Sequence, residues 1–179
     1  MKPTLFQTLL GASFYTLPPA VRALHSVRGQ ARYAGQATIE RGRNPLARLC
    51  ARIAGLPPPM RDAPLVVTFD TDPRNETWQR DFAGRAMRSR LFAHRRELGE
   101  RLGPFLFFRF ALRAGDGVLH WHAMGARLFG VLPLPAAWFV DVNCRESEHD
   151  GRYLFEVDAA LPLIGSVIRY EGWLEPASS

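Results

Sequence analysis

Two histidines, His120 and His122, are the residues of this chain whose type and spacing best suit chemistry. Alternate side chains of a β-strand point to the same side, so an H-x-H step on a strand presents both imidazoles together. That spacing suits a metal, but a metal site needs a third and usually a fourth ligand. Arg109 and Arg113 share the predicted face, which favours an anion over a cation. We therefore predict no metal site, and the candidate catalytic residues are His120, His122 and Arg109.

Each candidate residue has both a catalytic and a structural interpretation. A histidine in a cavity acts as general acid or base, because imidazole titrates near neutral pH, and an arginine stabilises developing negative charge. Histidines of the same spacing are equally explained as structural residues on a polar sheet face. The acidic candidates either line a polar pocket or form cross-strand ion pairs on a solvated face. The candidate ligand-binding residues are His25, Arg113, Trp121, Asp141, Asn143 and Glu156.

Strands joined by tight turns must position these residues. Asp-Gly stands at residues 116–117 and 150–151 between alternating runs, and this dipeptide supplies the positive φ of a type I′ hairpin turn. Two-residue loops there predict that Arg113 pairs with His120, and that Arg145 pairs with Glu156. A one-residue slip would send every side chain to the opposite face, so these facing relations depend on loop length.

Alternation of apolar and polar residues predicts a long antiparallel sheet. A sheet of about eight or nine strands tends to curl or close, because twist accumulates and open edges invite aggregation. We therefore predict a mainly β (α+β) fold, strongly curved or closed and barrel-like, whose interior is filled by side chains or holds one small ligand. The predicted strands cover residues 33–40, 64–71, 76–83, 85–92, 104–113, 117–126, 138–146, 152–161 and 166–174.

Helices are predicted only near the N-terminus. The first covers residues 3–15, the second begins at Pro18-Pro19, and the third follows the N-cap Asn44. They are expected to pack against the sheet. In the third helix the residues expected to face inward are Leu46, Leu49, Cys50 and Ile53. We predict a single domain over 1–179, with the helices and first strand in 1–60 and the remaining strands in 61–176.

Composition narrows the classes of partner and compartment. The net charge is +6, but Lys2 is the only lysine and the arginines are scattered among strands, which disfavours nucleic acid. Cys50 and Cys144 lack metal or redox spacing and indicate a reducing compartment. No stretch approaches the roughly 18 apolar residues that span a bilayer. We predict a cytoplasmic protein without a transmembrane segment.

Several short blocks, in a fixed order along the chain, carry a family resemblance. They are Leu17-Pro18-Pro19-Ala20-Val21-Arg22-Ala23-Leu24-His25, Arg28-Gly29, Tyr33-Ala34-Gly35, Glu40-Arg41-Gly42, Ala54-Gly55-Leu56-Pro57, Leu119-His120-Trp121, Leu161-Pro162-Leu163-Ile164-Gly165 and Arg169-Tyr170-Glu171-Gly172-Trp173-Leu174. With these blocks the chain resembles the bacterial domain-of-unknown-function family 4166. The resemblance implies no catalytic residues. Some similar proteins are joined to a Rossmann-type, NAD(P)-binding oxidoreductase, which implies such an enzyme as a partner.

The sequence itself predicts no cofactor, since the G-x-G-x-x-G loop that cradles a dinucleotide phosphate does not occur in it. Sheet length and aromatic content favour a binding or accessory module of bacterial metabolism that holds a small hydrophobic or amphipathic molecule. The alternative is a cofactor-free enzyme, an isomerase, cyclase or hydrolase, with a His/Arg site inside the curved sheet. Whether the protein is an enzyme stays open at this point.

Overall fold

A computed structural model describes residues 2–72 and 74–177, and the chain there forms an antiparallel β-barrel with helices at both ends. The helices are α1 (Leu5–Leu10), α2 (Pro19–His25) and α3 (Pro45–Ile53), with 3₁₀ segments at Gly11–Thr16 and Ala136–Phe139. The strands are β1 (Gly29–Arg41), β2 (Met60–Thr71), β3 (Asn75–Phe82), β4 (Arg85–His94), β5 (Glu97–Leu102), β6 (Leu106–Gly115), β7 (Val118–Leu128), β8 (Leu132–Pro133), β9 (Val142–His149), β10 (Arg152–Leu161) and β11 (Gly165–Pro176).

The sheet closes because β6 pairs with β5 on one side and with β7 on the other. From β6 the order runs β5-β4-β3-β2-β1-β11-β10-β9-β7, and β8 is a two-residue extension beside the end of β7. The predicted mainly β, barrel-like fold is confirmed, and it contains more strands than predicted. The additional barrel strand is β5, which is hard to detect because Gly99 and three charged residues obscure its apolar alternation.

Both predicted Asp-Gly turns form two-residue hairpins. The φ angles are 51° at Asp116 and 74° at Gly117, and the turn at residues 150–151 repeats this geometry. Positive φ at both central positions defines the type I′ turn, whose twist matches that of the strands. The register predicted from these loops is confirmed: Arg113 lies opposite His120, and Arg145 lies opposite Glu156.

A close approach of two backbones explains the glycine at position 35 in β1. A Cβ atom on Gly35 would overlap the carbonyl oxygen of Trp173 in the neighbouring strand β11. Glycine in a strand often marks such an approach. The irregularity in the pairing of β1 with β2 lies two to four residues further on, between Ala37 and Ile39.

The two ends of the barrel differ. α1, α2 and the first 3₁₀ segment cover the end where β1 begins, and their buried residues Phe6, Phe14, Val21 and Leu24 belong to the main core. We call this the closed end. α3, the second 3₁₀ segment and the β10–β11 turn lie at the opposite end, which we call the open end. None of the helices in the described ranges is long and apolar enough to cross a membrane.

The orientation predicted for α3 is wrong for three of its four residues, and Cys50 alone is partly buried against the barrel. Leu46, Leu49 and Ile53 are exposed, while Ala47 and Ala51 are fully buried against the barrel. Alanine side chains let a helix pack closer to a sheet than leucine side chains would allow. The alanine face of α3 is therefore the face that packs against the barrel. The larger apolar face of α3 therefore remains accessible.

Candidate functional site

The barrel interior contains a chain of polar side chains on β3. Side chains of this strand alternate, so Glu76, Trp78, Arg80 and Phe82 all point inward. The indole Nε1 of Trp78 donates a hydrogen bond to Oε2 of Glu76 at 3.0 Å. Burial raises the pKa of the Glu76 carboxyl, although the charge of His25 and the Trp78 bond oppose the shift. One inward glutamate, Glu76, and one inward arginine, Arg80, thus flank Trp78.

Arg80 is held by two neighbours inside the barrel. Its Nη1 donates to Oγ of Ser89 on β4 at 2.8 Å, and its guanidinium lies 4.9 Å from the centre of the Trp78 ring. Ser89 is itself buried. A guanidinium over an aromatic face gains cation–π attraction, which favours one fixed orientation. Arg80 therefore presents a positioned positive charge to the interior.

A histidine–glutamate pair lies where α2 meets the barrel. Nε2 of His25 is 2.5 Å from Oε2 of Glu146 on β9, and both side chains are almost completely buried. The His25 ring packs against Phe6 in a tilted arrangement with centroids 3.7 Å apart, and the main-chain carbonyl of His25 accepts a hydrogen bond from Oγ1 of Thr4 at 2.9 Å. α1 therefore fixes the position of the imidazole. Nδ1 of His25 is buried without a hydrogen-bond partner among the described residues.

Two adjoining cavities occupy the space between the ends of the barrel. The inner one, of about 90 Å³, lies beside α2 and is lined by residues that include Arg80, Glu146 and Trp121. The outer one, of about 300 Å³, extends to α3 and Trp138 at the open end. The residues common to both linings are Glu100, Phe110, Val142, Val157 and Tyr170. The two cavities therefore share part of their walls, and we call the pair the passage; its inner part has the larger share of polar lining.

Burial keeps two tyrosine hydroxyls and one cysteine thiol of the inner cavity neutral. Desolvation raises the pKa of the Tyr153 and Tyr170 hydroxyls and of the Cys144 thiol well above their usual ranges. A thiol in this state is a poor nucleophile, because the thiolate is the reactive form. The two tyrosines can donate hydrogen bonds to a bound molecule at any physiological pH.

The predicted histidine and arginine face lies outside the barrel. Trp121 is inward and buried, so His120 and His122 on either side of it point outward, and Arg109 and Arg113 share that outer surface. The predicted location of a His/Arg site inside the sheet is therefore wrong for these residues. Their catalytic role stays a prediction. Desolvation and the nearby charge of Arg145 lower the pKa of His120.

The predicted acidic and amide ligands also lie mainly outside. Glu156 accepts a hydrogen bond from Nη2 of Arg169 at 2.9 Å, and Asp141 is exposed next to the second 3₁₀ segment. The side-chain Oδ1 of Asn143 lies 2.9 Å from Nδ1 of His122 on the outer face, although the residue also borders the inner cavity. Among the candidate ligand-binding residues, His25 and Trp121 alone have inward side chains.

The interior residues that the sequence analysis does not predict are Glu76, Arg80, Glu100 and Glu146. A usable signal exists for Glu146, because it stands two positions after Cys144 and four after Val142, and alternate side chains of a strand share a face with these apolar residues. Arg80 likewise stands two positions after the aromatic Trp78. Within residues 2–72 and 74–177, no group of three or more histidine, cysteine, aspartate or glutamate side chains could hold a metal ion.

Comparisons with known proteins give a family and little more. No curated protein matches the chain. Among solved structures, the crystal structure of Rv2717c from M. tuberculosis is similar with a TM-score of 0.44 and 15% identity, over 90% of this chain and 99% of that one. A family model matches residues 17–174. Since that match spans most of the protein, the chain belongs to the family described as a domain of unknown function, DUF4166.

Proposed function

We propose that this protein binds a small hydrophobic or amphipathic molecule inside the barrel. The observation that carries the proposal is the outer cavity of about 300 Å³, whose lining contains one charged side chain, Glu100. Ligand sites typically occupy about 300–1,000 Å³ and combine apolar walls with a few polar groups. The volume of the outer cavity is at the small end of this range, and the adjoining inner cavity adds to the available space.

The polarity of the passage supports one orientation of the ligand. Its apolar part fits the outer cavity, and its polar end reaches the inner cavity, where Arg80, Glu146 and Tyr170 lie. Nε1 of Trp121 is buried in the inner lining and has no hydrogen-bond partner in the described ranges. A ligand oxygen that accepts from this N–H would remove the cost of an unsatisfied buried donor. The proposed ligand therefore carries a hydrogen-bond acceptor at its polar end.

A neutral fluorescent probe, 1-N-phenylnaphthylamine, tests occupation of the outer cavity. We expect saturable fluorescence enhancement with the native protein, and loss of that enhancement in Ala159→Trp, because Ala159 lines the outer cavity. Ala86→Trp is the matched control, since Ala86 is exposed on the outer face of β4. Equal probe binding by both variants, with circular dichroism spectra like the native one, would contradict the proposed location.

Native mass spectrometry of protein purified from its own host identifies the natural ligand. We expect an excess mass that disappears on denaturation and is reduced in Ala159→Trp. A clean ligand-free mass, together with absence of probe binding, would refute stable ligand binding. A Rossmann-type oxidoreductase stays a predicted partner, as the enzyme that would supply or consume the bound molecule.

Acid–base catalysis is a second candidate function, favoured by the His25–Glu146 contact beside the inner cavity. Glu146 lines this cavity, and the imidazole 2.5 Å away orients the carboxylate and can share its proton. This contact supports a proposed histidine site inside the sheet with Arg80 as the nearby cation, in place of His120, His122 and Arg109. A reaction of this kind is a proton transfer on a polar ligand group, as in an isomerase or hydrolase.

The test compares a small-molecule extract of the host before and after incubation with the native protein or with Glu146→Gln. Catalysis predicts that mass spectrometry detects a compound consumed by the native protein and left intact by the variant. If both proteins retain bound ligand and no compound in the extract changes, the catalytic function is contradicted and the binding function remains.

A further inference from the structure

Exposed apolar side chains are concentrated at the open end. In the described part of the chain, every exposed large apolar residue except Tyr15 and Met124 lies on an element at that end. We define the apolar rim by six of them: Leu46, Leu49, Ile53, Phe129, Trp138 and Leu163. Ile53 and Trp138 also line the outer cavity, so the rim borders that cavity. Clustered exposed apolar surface usually marks contact with a protein or a membrane.

α3 presents both apolar and basic side chains to the surroundings. Its alanine face is buried, while Leu46 and Leu49 are 57% and 52% exposed. Arg48 and Arg52 are exposed on a different side of the same helix. An apolar face flanked by arginines is typical of helices that lie in the interface of a bilayer.

The segment that contains α3 is basic. Residues 41–61 contain five arginines and no aspartate or glutamate. Arg41 donates its hydrogen bonds to main-chain carbonyls of the loop after α3, and the other four arginines are exposed. At the closed end the charges are mixed, as in the pair of Arg152 with Glu175 at 2.6 Å. Asp62 and Asp141 are also exposed at the open end, but arginines outnumber them there, so net positive charge and exposed apolar surface coincide.

We propose that the open end docks on a bilayer surface that contains anionic phospholipids. The rim would enter the interfacial region, where tryptophan is favoured, and the exposed arginines would contact the lipid phosphates. The mouth of the outer cavity would then face the lipid. Charge complementarity selects this occupant over a neutral apolar partner. The docking does not depend on what the cavity binds.

Vesicle flotation with and without phosphatidylglycerol in a phosphatidylcholine background is the direct test. We expect flotation with the anionic vesicles, a large reduction with the neutral ones, and release at high salt, which screens the arginines. Trp138 is 47% exposed at the rim, so its fluorescence should shift to shorter wavelength on docking. The shift should be lost in Trp138→Phe while flotation remains.

Matched variants separate docking at the open end from general attraction of a basic protein. Arg48→Glu/Arg52→Glu should weaken binding to anionic vesicles by at least about 25-fold, because each basic residue near the surface contributes roughly fivefold. Arg95→Glu/Arg96→Glu makes the same change in charge at an exposed turn of the closed end, and it should weaken binding much less. Leu46→Ser/Leu49→Ser should reduce flotation, whereas Tyr15→Ser should not.

Three results would overturn the proposal. The first is the absence of flotation with anionic vesicles. The second is an equal loss of binding in the two arginine double variants, which would indicate attraction without a preferred face. The third is a stable dimer in analytical ultracentrifugation that Leu46→Ser/Leu49→Ser converts to monomer, because the rim would then be covered by a second copy. Probe binding in the outer cavity, measured separately, keeps this test distinct from the ligand-binding proposal.

Discussion

Removal of the Glu146 carboxylate should strongly destabilise this protein, because it leaves His25 buried without its partner. Both side chains are almost inaccessible, at 0% and 1% exposure. Nδ1 of His25 already lacks a partner in the described ranges, so Glu146→Ala would leave both ring nitrogens unsatisfied. When His25 is protonated, truncating one partner of this buried pair costs about 3–5 kcal/mol. Glu146→Gln keeps an oxygen acceptor and should cost only about 1–1.5 kcal/mol.

The assay is equilibrium unfolding in urea, with thermal unfolding as a second measurement. For a domain of this size, about 3–5 kcal/mol corresponds to a fall of roughly 6–20 °C in Tm. Glu156→Ala is the matched control, since this glutamate is paired with Arg169 on the exposed outer face of the neighbouring strand. An exposed pair of this kind contributes about 1 kcal/mol or less.

The reasoning is refuted if Glu146→Ala and Glu156→Ala lower the free energy of unfolding by similar small amounts. That result would mean that the barrel relaxes or admits water around His25 at little cost. A large loss in Glu146→Ala with a small loss in Glu146→Gln would instead identify the hydrogen bond as the stabilising element. Both variants should retain native-like circular dichroism, because typical domains have about 5–15 kcal/mol of stability.

Three further perturbations test other parts of the structure. Gly35→Ala should lower the free energy of unfolding by about 1–3 kcal/mol, measured in urea, since the new methyl group overlaps the carbonyl of Trp173; an unchanged free energy of unfolding would contradict the close approach. Burial raises the pKa of the Glu76 carboxyl, so the folded state holds its proton more tightly than the unfolded state does. The free energy of unfolding therefore falls as pH rises from the ordinary pKa of 4.5 through the raised pKa of the folded state. Glu76→Gln should therefore flatten the decline in urea midpoint between about pH 4 and pH 8, and a slope equal to the native one would count against this assignment. Ser89→Ala removes the acceptor of Arg80 Nη1 and should cost about 1–3 kcal/mol, measured in the same assay, and no loss would show that another acceptor replaces it.

Local signals account for the parts of the fold that the sequence predicts well. The two Asp-Gly turns determine the hairpin registers through backbone conformation alone, and the N-cap Asn44 before Pro45 marks the start of α3. These features depend on residues close together in the chain. The glycine at position 35 also indicates a close backbone approach, because no side chain fits there.

The candidate site is predicted less well because it depends on contacts between distant residues. The period-two alternation correctly places His120 and His122 on the same face of the sheet as Arg113, but it does not say which face becomes the interior. Closure of the barrel through the β6–β7 pairing determines that side, and it places Trp121 inside. Alternation alone is symmetric between the two faces.

The sequence by itself determined the antiparallel β class, the hairpin registers and the family of this protein. The period-two alternation, the residues at the turns and the short sequence blocks that carry the family resemblance are all local properties of the chain. The tertiary structure alone decided the pairing of His25 with Glu146, which are 121 positions apart in the chain, the burial of Glu76 and the inward position of Arg80. It also decided that α3 exposes its leucines. These outcomes follow from how the closed sheet fills its interior and from which helix face fits against it. Such packing depends on shape in three dimensions, which no short window of sequence contains.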